Sequence, residues 1–336
     1  MSVEAVVFSD LHFGDPRSLA HRAETLDALT ARLRAYRPVR RIVLLGDILD
    51  LQIGNWSGAV EGLGPEGRIG FRHFLNRAVE ASGATAVHYV PGNHDHRVFD
   101  YLSIERHLFR KLASGGRLSG KVSYYRSFRE TFLSGILANR ETRLEVVYPH
   151  LTLRLGTRRL VLAHGHFLDR SQGLGVDCVK AFAGVDRRDS RTVARVRARF
   201  FRRVGLYQSI IDGGAVNRNV RDGLYGRTVR WLDSVASVAR RARRRRMDDR
   251  LKKNILAYID FCCRRGRTDG FIFGHTHRPG AAVLPRPSGA PLLTWNCGTF
   301  LDEGSPSGRP GTFLVVSRKR GASLETLVRL EELSRC

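Results

Sequence analysis

The chain has 336 residues, of which 42% are hydrophobic and 26% are charged, and its formal net charge is +25 at pH 7. This apolar content is enough for a large packed core, which excludes an intrinsically disordered chain. The five cysteines are odd in number and show no C-x-x-C spacing, which argues against a disulfide framework and against a thiolate zinc site.

The N-terminal stretch MSVEAVVFSD lacks a basic segment followed by a long apolar one, so we expect no secretory signal. No apolar run reaches the ~20 residues that span a bilayer. Together with reduced cysteines, this predicts a cytoplasmic protein that is soluble or peripheral at a membrane. The charge either attracts polyanions, such as nucleic acid, anionic lipid or a phosphate-rich substrate, or only solvates the surface.

The first ninety residues alternate between two kinds of pattern. Apolar runs predict strands at 5–9, 40–46 and 85–90, and helical spacing predicts helices at 18–36 and 66–82. Ser18 is a candidate N-cap of the first helix. Because strand, helix and strand follow one another, we expect parallel pairing with crossovers and an α/β fold.

Beyond residue 100 the pattern is looser. Residues 143–165 alternate, turn at Gly156-Thr157 and alternate again, which predicts a hairpin. Further strands are predicted at 269–275, 291–298 and 311–319. Between them, 175–262 is helical in pattern, and 187–253 holds 21 of the 57 lysines and arginines. We therefore predict one domain over 1–336 with a basic helical insertion at 175–262.

Five clusters of ligand-type side chains follow predicted strands. They are Asp10 and His12; Asp47 and Asp50; Asn93, His94 and Asp95; His164 and His166; and His275 and His277. In α/β sheets, functional groups gather at the carboxyl ends of strands, so these clusters are expected to converge. A single Asp-x-His is most often a surface feature, but five clusters in this order are hard to explain as caps.

The donor types indicate the metal. Histidine, carboxylate and amide ligands without cysteine suit divalent Mn, Fe, Zn or Co. Seven ligands exceed one site, whereas a shared carboxylate would serve two metals about 3.5–4 Å apart, an arrangement that clamps a phosphoryl group. The sequence therefore predicts two divalent metal ions, with manganese the first candidate.

The motifs D-x-H, G-D-x-x-D, G-N-H-D, H-G and G-H-x-H, spread over residues 10–277, resemble those of the calcineurin-like metallophosphoesterases. The resemblance implies a four-layer α/β/β/α sandwich and a phosphate-containing substrate. It also implies that one metal is held by Asp10, His12, Asp47 and His277, and the second by Asp47, Asn93, His164 and His275.

The same resemblance gives roles to neighbouring residues. His94 would donate a proton or hydrogen bond to a leaving-group or phosphoryl oxygen, and Asp50 would orient it. Asp95 is interpreted as holding the loop. His96 and His166 receive no role and are interpreted as supporting or surface histidines.

Several stretches also resemble the subgroup of UDP-2,3-diacylglucosamine pyrophosphohydrolases, whose members cleave a lipid-linked nucleotide. They are GDILDLQIGNW (46–56), GNHDHRVFDY (92–101), HGHFLD (164–169), GHTHRP (274–279) and WNCGTFLDEG (295–304). Two positions depart from that pattern: His94 stands where the best-known members have arginine, and His166 where they have aspartate. The resemblance therefore supports the type of reaction more strongly than it supports this particular substrate.

The basic insertion interleaves arginine with aromatic and apolar residues. Examples are Phe200, Phe201, Leu206, Tyr207, Trp231, Leu232 and the run Arg243–Arg246. The mixture suits an anionic membrane surface, a single-stranded nucleic acid, or only a solvated helical cap. Two alternatives to a phosphoesterase of lipid-linked nucleotides remain: a nuclease or cyclic-nucleotide phosphodiesterase, favoured by the charge, and a non-catalytic scaffold, disfavoured because no ligand motif is missing.

Overall fold

A computed structural model describes residues 2–52, 56–62, 68–113, 126–129, 131–169, 178–185, 189, 191–201, 203–204, 249–262, 268–286, 289–302, 310–318 and 328–333. The chain forms two compact units. The first comprises Met1–His166 and Arg265–Cys336, and the second comprises Phe167–Arg264. The predicted insertion at 175–262 falls inside the second unit, and its action as a lid stays a prediction.

The first unit contains two β-sheets. The larger is formed by β1 (Ser2–Phe8), β2 (Arg41–Leu44), β3 (Ala86–Tyr89), β4 (Arg126–Arg129), β5 (Arg143–Tyr148), β11 (Thr312–Arg318) and β12 (Val328–Glu332), in the order β12-β11-β1-β2-β3-β5-β4. The smaller is formed by β6 (Leu151–Leu155), β7 (Arg158–Leu162), β8 (Gly270–Phe273), β9 (Gly280–Leu284) and β10 (Leu292–Asn296), in the order β6-β7-β8-β10-β9. Neighbouring pairs β1–β2, β2–β3 and β7–β8 are parallel.

Helices connect the parallel strands. They are α1 (Ala23–Ala35), α2 (Trp56–Glu61), α3 (Phe71–Ser82) and α4 (His96–Ala113). The Ser18 side chain accepts a hydrogen bond from the amide of Ala20 and begins a short 3₁₀ turn at Leu19–His21, so the cap signal marks this turn and not the start of α1. The α1 helix then presents Leu26, Leu29 and Leu33 to the interior, where it packs against α3.

The core of the first unit lies between the two sheets. It combines Ala5, Val7 and Val43 of the larger sheet with Leu153, Leu160, Leu162, Ile272 and Trp295 of the smaller one. These apolar side chains bury the facing surfaces of both sheets, which is the main favourable contribution to folding. The predicted α/β fold with two sheets and flanking helices is confirmed.

The hairpin predicted over 143–165 is wrong in its first half. The chain leaves β5 at Tyr148 and enters β6 at Leu151, and these two strands belong to different sheets. Pro149, which has no amide hydrogen for a sheet, lies between them. Only β6 and β7 form the hairpin, with Gly156 at a φ of 64° in its turn. Apolar and polar residues alternate in both β5 and β6, so the sequence pattern alone does not reveal that the chain changes sheet between them.

The second unit is helical where it is described. It contains α5 (Cys178–Phe182), α6 (191–201) and α7 (Asp249–Cys262), around an aromatic core of Phe167, Phe182, Phe200, Phe201, Tyr258 and Phe261. Phe200 and Phe201 are buried there, which agrees, for these two residues, with a helical cap whose apolar side is packed. Leu206, Tyr207, Trp231, Leu232 and Arg243–Arg246 lie outside the described residues. Among the helices that are described, none is both long and apolar enough to cross a bilayer.

Candidate metal centre

The predicted ligand clusters of the first unit all follow strands at their carboxyl ends. Asp10 comes after β1, Asp47 after β2, Asn93 after β3, His164 after β7 and His275 after β8. Parallel pairing within each sheet sends these ends to the same edge. This is the reason that residues far apart in sequence come into contact, as the amide of His275 does with the carboxylate of Asp10, 265 positions away.

One group that could hold a metal ion consists of Asp10, His12 and His277. Nε2 of His277 lies 3.1 Å from Oδ1 of Asp10. Nε2 of His12 lies 4.0 Å from Oδ1 of Asp10 and 4.0 Å from Oδ2 of Asp47. That nitrogen is buried and has no hydrogen-bond partner among the described residues. A buried, unpaired acceptor between two carboxylates is a good fit to a bound cation.

A second group consists of Asp47, His164 and His275. Nε2 of His164 lies 3.2 Å from Oδ2 of Asp47 and 3.2 Å from Oδ1 of Asn93. The same oxygen of Asp47 is the one that faces His12. Asp47 therefore lies between the two groups, where a shared carboxylate would have to be.

The other ring nitrogens of His12 and His164 are held from behind. Nδ1 of His12 lies 3.1 Å from Oδ2 of Asp50, and Nδ1 of His164 lies 3.0 Å from the carbonyl oxygen of Leu45. A carboxylate or carbonyl in this position accepts the Nδ1 proton and leaves Nε2 for a metal. Sequence reasoning missed the Leu45 contact, because a backbone carbonyl leaves no signal in the residue type.

Asp50 also contacts His94. Its Oδ2 lies 3.0 Å from Nδ1 of His94, whose side chain is 25% exposed. Burial alone would lower the pKa of His94, but the negative charges of Asp47 and Asp50 raise it to about 9. Burial would likewise raise the pKa of Asp50, but His94 and His12 lower it. In the metal-free site, His94 is thus a cation at neutral pH that still reaches solvent.

The proposed ligands themselves carry opposite charges in close contact. Burial is the largest single effect and would raise the pKa of Asp10 and of Asp47. His164 and His277 together lower the pKa of Asp10, and His164, His94 and His12 together bring the pKa of Asp47 well below its usual value. The pKa of His164 is raised to about 9, because Asp47 and Asp10 outweigh the effect of burial. In the metal-free protein, protonated His164 supplies the positive charge that these carboxylates require.

The backbone of the site is unusual. Among the described residues, the non-glycine positions with positive φ are Asp10 (53°), His12 (50°), Asp47 (51°), His275 (66°) and His277 (57°). All five are predicted metal ligands. Such left-handed conformations cost of order 1–3 kcal/mol each and are found mainly at functional sites, although aspartate and histidine tolerate them better than most residues.

The motif glycines provide room for close approach. A Cβ atom at Gly92 would lie 2.6 Å from the amide nitrogen of Asp47 and 2.8 Å from Cδ2 of His164. One at Gly46 would lie 2.6 Å from Nδ1 of His164. Both distances are shorter than real Cβ contacts, so these glycines are required where the two sheets bring their ligand loops together.

Asp95 fastens the loop that carries Asn93 and His94. Its carboxylate accepts hydrogen bonds from the amides of Ile48 (2.8 Å) and Gly92 (2.5 Å) and from the hydroxyl of Tyr89 (2.5 Å). These contacts agree with the loop-holding role expected from the sequence. They also fix the loop after β3 to the loop after β2, and so keep Asn93 beside Asp47.

His96 and His166 are buried, so of the two interpretations, supporting or surface histidines, only the supporting one remains. His96 is 1% exposed, and its Nδ1 lies 3.3 Å from Oδ2 of Asp100 one turn along α4. The ring of His166 is centred 5.6 Å from that of His164 and 6.4 Å from that of His96. Burial and the nearby histidines hold the pKa of His166 well below its usual value. His166 thus lies beside the predicted ligand His164, and His96 in turn lies beside His166.

Comparison with known proteins identifies one family. The sequence model described as calcineurin-like phosphoesterase matches residues 4–279. A search of curated proteins finds no match. Among solved structures, the chain is similar to a conserved uncharacterised protein of Streptococcus pneumoniae TIGR4, a predicted phosphoesterase, with 12% identity over 99% of each chain and a TM-score of 0.29. That similarity is too low to support a conclusion.

Proposed function

The chain belongs to the calcineurin-like phosphoesterase family and is therefore a hydrolase acting on phosphoesters. On this basis, we propose that it works with two divalent metal ions. One ion would be held by Asp10, His12, Asp47 and His277, and the other by Asp47, Asn93, His164 and His275. The observation that carries this proposal is the position of Asp47, whose Oδ2 faces Nε2 of His12 at 4.0 Å and Nε2 of His164 at 3.2 Å.

The donor set favours manganese first, with iron, zinc and cobalt as alternatives, because it mixes imidazole, carboxylate and amide oxygen. When bound, two such ions neutralise the charge of the phosphoryl group and lower the pKa of an attacking water. The chain's own part is to hold these ligands rigidly. The Asp50 carboxylate and the Leu45 carbonyl orient His12 and His164, respectively, before any metal arrives.

His94 is proposed to act on the substrate itself. Its Nδ1 faces Asp50 at 3.0 Å, which leaves Nε2 to donate a proton or a hydrogen bond to the leaving-group or phosphoryl oxygen. In the metal-free protein, the carboxylates of Asp47 and Asp50 raise the pKa of this imidazole to about 9, and Asp50 stays beside it when Asp47 serves as a metal ligand. Asp50 is a positioning residue in this scheme, because it acts through His94 and His12.

The finer proposal concerns the substrate. We propose a pyrophosphate or phosphoester bond in a nucleotide-linked lipid, on the strength of the five stretches that resemble the UDP-2,3-diacylglucosamine pyrophosphohydrolases. A peripheral position at an anionic membrane would accompany such a substrate. Because His94 and His166 depart from that subgroup, the proposal extends to other lipid-linked nucleotides as well.

The test combines metal analysis with a substrate panel. Purified protein, reconstituted with Mn²⁺, should bind two ions per chain and cleave a nucleotide-diphospho-lipid in preference to a chromogenic phosphomonoester or bis-(p-nitrophenyl) phosphate. Asp47→Asn should lose both ions and activity on every substrate, because both sites share that carboxylate. One ion at saturation would contradict the dinuclear proposal, and preferred cleavage of single-stranded DNA would replace the lipid substrate with nucleic acid.

A further inference from the structure

A basic cleft with a volume of about 490 Å³ lies in the first unit at the strand ends opposite to the metal centre. Its charged lining consists of Glu4, Arg40, Arg41, Arg154, Arg159 and Arg318. Arg41 begins β2, and Glu4 lies near the start of β1, whereas Asp10 follows the end of β1. At about 3.3 Å per residue, the six residues from Glu4 to Asp10 span about 20 Å. The cleft is therefore separate from the metal centre.

A single carboxylate organises one side of the cleft. Glu4 is buried, and its oxygens lie 2.7 Å from a guanidinium nitrogen of Arg41, 2.9 Å from one of Arg318 and 3.6 Å from one of Arg40. One buried negative charge thus lies within 4 Å of three positive ones, of which Arg41 is the least exposed. Nε of Arg41 is also buried without a hydrogen-bond partner among the described residues. This side of the cleft keeps an excess of positive charge and donors.

The other side of the cleft contains an unfavourable charge pair. Arg154 of β6 and Arg159 of β7 are directly opposite each other in the hairpin register. Like charges at such positions repel and destabilise the strand pair. Arg154 forms no ion pair with any residue that the structure describes, whereas the amide of Arg159 donates a hydrogen bond to the Asp269 carboxylate at 2.8 Å. An anion bound beside the two guanidinium groups would remove this repulsion.

We propose that the cleft binds a compact polyanion with two or more linked phosphate groups, of the inorganic polyphosphate or nucleoside polyphosphate class. Five arginines against the carboxylates of Glu4 and Asp269 leave three positive charges, more than one phosphate group would balance. The planar guanidinium group forms paired hydrogen bonds with phosphate oxygens, which an ammonium group does not. The volume is within the range of small-molecule sites and is larger than one phosphate ion needs.

The test uses metal-free full-length protein with a chelator present, so that the result does not depend on the proposed dinuclear function. Calorimetric titration with inorganic tripolyphosphate should give saturable, salt-sensitive binding. The double variant Arg154→Gln/Arg159→Gln should bind at least about tenfold more weakly. A matched control, Arg32→Gln/Arg34→Gln on the exposed face of α1, removes the same charge elsewhere and should stay within about twofold of the unchanged protein.

Thermal unfolding provides a second readout. Without anion, the single variant Arg154→Gln should be at least as stable as the unchanged protein, because the repulsion between Arg154 and Arg159 is gone while Arg159 keeps its own contacts. Tripolyphosphate should raise the Tm of the unchanged protein and of the control but not that of the double cleft variant. Titration with a nucleoside triphosphate in parallel distinguishes inorganic from nucleoside polyphosphate. Equal affinity for the two would show that the cleft recognises only the phosphates, and tighter binding of the nucleoside triphosphate would show that it also contacts the nucleoside.

Three results would overturn the proposal. The first is the absence of saturable tripolyphosphate binding to the unchanged protein. The second is an equal loss of affinity in the cleft variant and in the α1 control, which would assign binding to overall charge. The third is a single-stranded oligonucleotide that displaces tripolyphosphate and binds more tightly, which would assign the cleft to a nucleic-acid backbone.

Discussion

Oδ2 of Asp50 lies 3.0 Å from Nδ1 of His94, and the same oxygen lies 3.1 Å from Nδ1 of His12. One buried carboxylate therefore orients both the proposed proton donor and a proposed metal ligand. His94 faces the solvent side of this arrangement, whereas His12 is buried. Substitutions of Asp50 and His94 should consequently have different effects on metal binding.

His94→Ala should lower kcat by roughly 10²–10⁴-fold, because it removes the proton donor, while the metal content stays near normal. The loss should be smaller for a substrate with a very good leaving group, which needs little protonation. Steady-state kinetics with leaving groups of graded pKa, together with elemental analysis of the same preparations, checks both points. Loss of metal from this variant would identify His94 as a ligand instead.

Asp50→Asn should reduce kcat and also weaken metal binding by about 10–100-fold, because His12 loses the carboxylate that fixes its tautomer. The measurement is competition of the variant with a fluorescent chelator for Mn²⁺. Asp100→Asn is the matched control, since Asp100 pairs with a buried histidine, His96, outside the proposed ligand set. Unchanged metal affinity in Asp50→Asn would show that Asp50 serves His94 alone.

The sequence contains enough information to predict the strand ends that carry the ligands. Each buried apolar run before Asp10, Asp47 and Asn93 ends within a few residues of its observed strand. The parallel arrangement then follows from the alternation of strands and helices, and with it the convergence of the clusters. These features were predictable because they depend on local patterns and on one general rule of α/β folds.

Other features depend on contacts between distant backbone segments. The Leu45 carbonyl behind His164 and the left-handed backbone of His277 have no residue-type signal of their own. The change of sheet at Pro149 was missed because both halves keep the same alternation. Burial of Phe200 was left undecided for a related reason, since aromatic residues among arginines give the same pattern in a helical core and on a basic surface.

Metal binding should release a proton below about pH 9. In the metal-free protein, Asp47 and Asp10 outweigh burial and raise the pKa of His164 to about 9, so this residue is protonated at neutral pH. A metal ligand must be neutral, and the ion must therefore displace that proton. Apparent affinity for Mn²⁺ should rise with pH until about 9 and then level off. Calorimetry at neutral pH in buffers of different ionisation enthalpy measures the proton released, and buffer-independent heats would contradict this expectation.

The left-handed backbone at His277 predicts an inverted order of stability for two substitutions. In metal-free protein, His277→Gly should be more stable than His277→Ala by about 1 kcal/mol, because a φ of 57° disfavours any residue with a Cβ atom. Both variants lose the same contact with Asp10, so their difference reports the backbone alone. Arg32 in the exposed part of α1 is the control, where alanine should exceed glycine by about 1 kcal/mol. Urea unfolding measures all four, and alanine above glycine at position 277 would contradict the strain argument.

Gly92→Ala should damage the metal centre although it adds only one methyl group. The new carbon would lie 2.6 Å from the amide nitrogen of Asp47 and 2.8 Å from Cδ2 of His164, so one of these two proposed ligands must move. Overpacking of this kind costs typically 1–3 kcal/mol, and displacement of either ligand should also weaken metal binding. Gly135→Ala is the matched control, because nothing lies within 4 Å of its added carbon. Thermal unfolding and metal titration of both variants test the prediction. Equal behaviour of the two would show that the loops after β2, β3 and β7 can separate without loss of the site.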